Sequence, residues 1–107
     1  MVAYYIIAIY NILYSFIGIA RADGSTSSPT TIINLVFDRP IPGLSIDDIT
    51  VDKATKGTLI YRSDVSSSTS VTYSLTISNI TSNIVTVAID KAGCRFNTHE
   101  RTVEVDR

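Results

Sequence analysis

Three carboxylates, Asp47, Asp48 and Asp52, stand close together and form the densest set of candidate ligands in the chain. Oxygen-rich clusters can hold calcium, but such a site wants about six to eight oxygens in a recognisable loop spacing. That spacing is absent, and capping of a turn by Asp48 with Asp47 in solvent accounts for the pair. His99 is the single histidine, beside Glu100, and Cys94 is the single cysteine. Zinc needs about four nitrogen or sulfur ligands, and a Cys–His nucleophile needs a third group to orient its base. His99 is therefore expected in an exposed loop, and Cys94 as a small apolar residue beneath a turn. Ser66, Ser67 and Ser68 lack the strand-turn-helix context of a nucleophile elbow and read as a flexible loop. Asn79-Ile80-Thr81 matches a glycosylation acceptor, a pattern frequent by chance and meaningful only in a eukaryotic secretory pathway. No catalytic residue, cofactor-binding residue or metal ligand is assigned, because no general base is paired with a nucleophile. The chain is expected not to be an enzyme and to need no cofactor.

The elements that would carry any site follow from composition and periodicity. A chain of 107 residues is one domain, able to build a core without metal or disulfide if its β-branched residues point inward. Nine basic side chains balance ten acidic ones and are scattered, so no electrostatic footprint for nucleic acid exists. Thirteen Ser and thirteen Thr among many Ile and Val favour strands with hydroxylated outer faces. A lone cysteine leaves the redox compartment undetermined.

Residues 1–13 form an apolar lead, and 14–107 the folded domain. From Val2 to Ala20 there is no charged side chain, and Ala20-Arg21-Ala22 resembles a small-x-small cleavage site. That reads as a secretion signal or membrane anchor, although no basic residue flanks Met1 and four tyrosines are unusual there. Alternatively, 14–22 is the first strand, with Tyr14, Phe16, Gly18 and Ala20 on one face and Ser15, Ile17, Ile19 and Arg21 on the other, before the Asp23-Gly24 turn. Both readings fit, and a chain of this form is either one repeat of a longer frame or a small exported protein.

Downstream, 23–31 is a polar connection. Ile33, Leu35 and Phe37 alternate with polar or mixed neighbours as a strand, which Pro40, Pro42 and Gly43 must end. Ser45 followed by Asp48 at the third position predicts one helical turn before 49–51 extends. Further strands are expected at 57–61, at 71–77 with Val71, Tyr73, Leu75 and Ile77 inward, at 85–89 and at 102–105, with 63–70 a Ser-rich connection and Ile80 plugging one end. About seven strands with turn signals about every eight to twelve residues predict an all-β, Ig-like antiparallel β-sandwich.

Ala22-Asp-Gly-Ser25, Leu35-Val-Phe-Asp38, Ile41-Pro-Gly-Leu-Ser-Ile-Asp-Asp-Ile-Thr50, Tyr73-Ser-Leu-Thr-Ile77, Val85-Thr-Val-Ala-Ile89, Lys91-Ala-Gly93 and Thr102-Val-Glu-Val105 together resemble one bacterial Ig-like repeat over about residues 16–105. The resemblance favours the strand reading of 14–22. It departs at Cys94, where an aromatic is common, and at 1–13, which has no counterpart in a repeat. It implies secretion or cell-surface display, no catalysis, and neighbouring Ig-like repeats as partners. The domain is thus expected to be a structural spacer or display unit. The alternative is adhesion to a protein or carbohydrate through loops 39–48, 63–70 and 91–99, against which the lack of Trp and of an aromatic row outside the core weighs. Contact with a membrane is expected only if 2–20 is an anchor.

Overall fold

The computed structural model describes residues 12–107, and the expectations placed on residues 1–11 lie outside the described residues. Wherever the sequence alternates Ile, Val, Leu or aromatic residues with Ser and Thr, a strand forms, because branched side chains fit a pleated surface buried on one face. The strands are β1 (Leu13–Tyr14), β2 (Phe16–Arg21), β3 (Ile32–Phe37), β4 (Ile49–Asp52), β5 (Thr55–Tyr61), β6 (Val71–Ser78), β7 (Ile84–Ile89), β8 (Arg95–Phe96) and β9 (Glu100–Glu104). Single turns of 3-10 helix, Ile46–Asp48 and Ser63–Val65, precede β4 and follow β5.

Four strands form one sheet in the order β2-β3-β6-β5 and three form a second in the order β4-β7-β9, every neighbouring pair antiparallel. The result is an all-β sandwich. Its core is the inner rows: Ile33, Leu35, Phe37, Leu75 and Val71 from the first sheet face Ile49, Val85, Val87 and Ile89 from the second, all essentially removed from water. Those are the rows that period-two reading singles out.

Successive long strands alternate in direction, so the connections fall alternately at two ends. Loops 38–48, 62–70 and 90–99 gather at one end, where β2 begins. Loops 22–31, 53–54 and 79–83 gather at the other, where β9 ends. Ile80 is half-buried against the core at this second end, as a plug should be.

The first strand departs from expectation in two ways. It breaks at Ser15: β1 pairs in parallel with β8, in the register Leu13 with Arg95 and Tyr14 with Phe96, whereas β2 pairs with β3. The register also shifts between Phe16 and Gly18, a bulge that turns the following residues over. Ile17 is consequently 49% exposed while Ile19, expected on the same face as Ile17, packs against the core, and Ala20, expected on the same face as Phe16, is exposed. Two-residue strands carry no periodicity, so β1 and β8 bring the expected seven strands to nine.

Two basic side chains close the sides of the sandwich. Arg101 of β9 donates through Nε to the carbonyl of Phe16 at 2.8 Å, tying the last strand to the first. On the opposite side Lys56 of β5 donates to the carbonyls of Ile49 at 2.6 Å and Ile46 at 2.9 Å. Among the described residues no helix is long and apolar enough to cross a membrane.

A second register shift lies between Lys56 and Leu59, where Gly57 passes against Thr76. A Cβ on Gly57 would overlap Thr76 Oγ1, which also accepts the Thr58 amide at 2.7 Å. Gly18, in the first strand, has open space where its Cβ would stand. We expect Gly57→Ala to lower the unfolding free energy by about 1–3 kcal/mol through overpacking, and Gly18→Ala to leave it unchanged or raise it by about 0.4–1 kcal/mol. Urea titration of both variants checks the contrast.

Candidate functional site

Loops 38–48 and 90–99 are fastened to each other. Gly43, at φ +72°, reverses the chain after Pro42, and Lys91 Nζ donates to its carbonyl at 3.1 Å and stands 3.5 Å from Asp48 Oδ2. The amide of Asp90 donates to the carbonyl of Asp48 at 2.9 Å. Asp48 in turn takes the Ser45 amide at 2.9 Å, the half of the expected cap in which the third residue reaches back to the first. The Ser45 amide, aided by the Lys91 ammonium, holds the Asp48 carboxyl below the usual carboxylate range against the opposing effect of partial burial.

The first of these loops is also anchored from below. The amide of Ile41, itself buried, donates to the Tyr73 hydroxyl at 3.2 Å. Tyr73 belongs to a row of rings crossing the four-stranded sheet at this end: Phe16 to Phe37 at 4.7 Å, Phe37 to Tyr73 at 5.6 Å and Tyr73 to Tyr61 at 5.3 Å, the last two edge-on. Tyr61 ends the row 46% exposed, beside Ile60 at 55%. As successive residues of β5 they point to opposite faces, each leaving an exposed apolar side chain near the start of loop 62–70.

Loop 62–70 is held by its own polar groups. Arg62 makes a two-pronged ion pair with Asp64, Nε to Oδ1 at 2.9 Å and Nη2 to Oδ2 at 2.7 Å, which holds the Asp64 carboxyl below its usual range. Ser66 is a structural hinge pin, donating to the Arg62 carbonyl at 2.6 Å and accepting the Thr72 amide at 2.9 Å.

The residues weighed for chemistry are not brought together. Asp48 is engaged by Ser45 and Lys91, Asp47 is exposed, and Asp52 ends β4 at the far side of the sandwich. Among the described residues no three His, Cys, Asp or Glu side chains converge as metal ligands. His99 is exposed and only its carbonyl is engaged, accepting the Ile89 amide at 2.8 Å. Cys94 is half-buried against the core, its amide donating to the Lys91 carbonyl at 3.1 Å. Burial, with Cys94 and Asp38 nearby, pushes the Tyr14 hydroxyl up, away from ionisation. Asn79 is exposed in a left-handed conformation at φ +50°, and Thr81 is tied to the Lys53 carbonyl. What the arrangement offers is an end surface whose loops are fastened to one another and to the sheet beneath. Lys91 and Tyr61 are the residues that sequence reasoning passed over, the first because its partners are 43 and 48 residues away.

No family model matches the chain, and neither does any curated protein or solved structure.

Asp23, Asp48 and Asp64 all have carboxyls held low, Asp23 by the Thr31 hydroxyl first and then by the Thr31 and Ile32 amides. Each group's contribution is therefore complete above the ordinary carboxylate range, near pH 4, and is lost as pH falls through its lower folded value. Stability should be flat from neutral pH to about pH 5 and fall below about pH 4. Asp48→Asn should remove part of that fall and cost about 1 kcal/mol at neutral pH, since the carboxylate is partly in water. Urea unfolding at a series of pH values, on both proteins, checks the sign.

Proposed function

We propose that this chain is a non-catalytic bacterial Ig-like module that serves as a structural spacer or display unit in a secreted or cell-surface protein. The observation that carries the reading is the path of the chain: it enters the sandwich beside β8 at one end and leaves beyond β9, where Arg107 donates to the Thr81 carbonyl, at the other. Entry and exit at opposite ends suit a unit strung in line with others. The strand order supports the family named from the residues. Counting the seven long strands in sequence, the first, second, fifth and fourth share one sheet and the third, sixth and seventh the other, which is the constant-type order.

The second reading, recognition of a protein or carbohydrate, is favoured by the gathering of loops 38–48, 62–70 and 90–99 at one end, with Tyr61 and Ile60 beside them. Loops held on a rigid scaffold carry recognition. The absence of Trp weighs against sugar stacking.

A spacer should resist tension along its own axis. Force applied through residues 12 and 107 loads the β1–β8 pair together with the Arg101–Phe16 and Thr30–Asp106 bonds between the layers, so several bonds must fail together. Force through residues 83 and 107, both at the exit end, opens the β7–β9 ladder one pair at a time. The expected result is a markedly higher unfolding force for the first geometry in single-molecule pulling. Equal forces would sink the spacer reading, and saturable capture on a glycan or protein array, lost when loop 39–48 is replaced, would support recognition instead.

A further inference from the structure

Charge is missing from one broad face of the sandwich. Of the residues of β2, β3, β5 and β6 only Arg21 and Lys56 are charged, and both are turned toward the other layer, Arg21 to Asp106 Oδ2 at 2.6 Å and Lys56 to the Ile49 carbonyl at 2.6 Å. The second sheet is unlike it, since Glu100 and Glu104 flank the inward Arg101 and Val103, and Asp52 ends β4. In place of charge, the outer face of the four-stranded sheet carries Ile32, Val36 and Ile60, opposite Thr76, Thr72 and Ser74 of β6. β3 is therefore apolar on both faces, the pattern of a strand covered on two sides. Depletion of charge is what marks the centre of an interface among surfaces of otherwise ordinary polarity.

The face is also stepped. One row across it runs Ala20, Asn34, Ser74, Ile60, and the next runs Gly18, Val36, Thr72, Arg62. At the β2 edge each row ends in a residue with little or no side chain, with open space beside Gly18. At the β5 edge each ends in a large one, and Ile60 is 55% exposed. Arg62, the one charge that reaches over the face, donates through Nη1 to Ser74 Oγ at 3.2 Å and is neutralised by its two-pronged pair with Asp64. A twofold axis running along the strands between two such faces carries the low β2 edge of one copy over the high β5 edge of the other and keeps each row at its own height. Ile60 then meets Ala20, and Arg62 the open space at Gly18, twice over. Charged surface could not cover this face without losing its own hydration unpaired, whereas a second copy brings a face as uncharged as the first. Four strands about 4.8 Å apart and about seven residues long make a face of about 20 by 24 Å, so two copies cover about 1,000 Å² together, the size at which specific but weak contacts begin.

We propose that two copies of this chain pair face to face through the outer surface of the four-stranded sheet, the Ile60 edge of each lying on the Ala20 edge of the other. The contact is isologous, so it closes at the dimer. It leaves both ends of the sandwich free and does not rest on the spacer reading, which concerns the load along one chain.

Sedimentation equilibrium of the full chain over micromolar to millimolar concentrations tests it. The wild type should fit a monomer and a dimer with nothing larger. Ala20→Arg and Ile60→Glu, both at exposed positions, each place an unpaired charge in the contact twice and should weaken association at least about tenfold. Mixed in equal amounts, the introduced guanidinium of one chain meets the introduced carboxylate of the other while the second Ala20–Ile60 contact stays native, so the mixture should dimerise again. The double variant Ala20→Arg/Ile60→Glu should do the same on its own. Ile84→Arg, at a 43% exposed position on the second sheet, should associate as the wild type does. Circular dichroism confirms that each variant is folded, and the reversed pair, Ala20→Glu with Ile60→Arg, repeats the test where one is not. A wild type that stays monomeric, association that survives either single variant, an equal loss in Ile84→Arg, or a mixture that yields no dimer overturns the proposal, and none of these bears on the pulling geometry.

Discussion

At Ser15 the backbone passes from the two-stranded β1–β8 sheet to the four-stranded sheet of the sandwich. The Tyr14 carbonyl accepts the Asn97 amide at 2.8 Å beside the second sheet, and one residue later the Ser15 amide and carbonyl engage the Asp38 carboxylate and amide, at 2.8 and 3.1 Å, beside the first. Sheets that face each other have no ladder between them, and apolar contact alone sets neither their spacing along the strands nor their angle. Hydrogen bonds from the last strand and its tail to the first strand and the loop after it supply that missing registry. Arg101 fastens the same seam at Phe16, and at its far end the Thr30 amide donates to the Asp106 carbonyl at 2.8 Å while the Thr30 hydroxyl accepts the Asp106 amide at 3.0 Å. Thr30 is almost wholly buried and fully bonded there, so the seam tolerates no loose polar group.

With one side of the sandwich stitched, the inner rows can interdigitate without a disulfide. The other side, between β4 and β5, is closed by the Lys56 ammonium on the carbonyls of Ile46 and Ile49. These carbonyls belong to the helical turn and to the first residue of β4, so Lys56 also fixes the angle at which loop 38–48 enters the sheet. Lys91 then holds the same loop from above, and Tyr73 from below. The rigidity of the loop-bearing end is thus a consequence of how the layers are joined.

Much of this was legible in the letters, and the part that was not has a physical reason. Ile33, Leu35 and Phe37, then Val71 to Ile77 and Val85 to Ile89, declare an inner face because antiparallel sheets solvated on one side force a period of two. The grouping of loops 39–48, 63–70 and 91–99 at one end follows from the same rule, since alternate strand directions send alternate connections to the same side. What was hidden depends on departures from period two. The bulge after Phe16 turns Ile17 out and Ile19 in, and β1 and β8 are too short to show a pattern. Lys56, Arg101 and Lys91 read as solvated charges because their partners are backbone carbonyls, which every residue possesses and no letter marks.

The same use of Lys56 shapes the edges. A sheet edge exposes unpaired amides and carbonyls and is usually guarded by charge, proline or a bulge. The β9 edge carries Glu100, Arg101 and Glu104, and the β4 edge ends in Asp52 followed by Lys53 at φ +75°, which bends the chain away from extension. In β5 the single charged residue is Lys56, and it is turned across the seam toward the second sheet. The guard left to that edge is the irregularity at Gly57, where the Thr76 hydroxyl takes the Thr58 amide and interrupts the regular ladder. Gly57 therefore serves two ends at once: it lets β5 approach Thr76 closely, and by breaking the row of backbone groups it protects an edge from which Ile60 and Tyr61 would otherwise invite another strand.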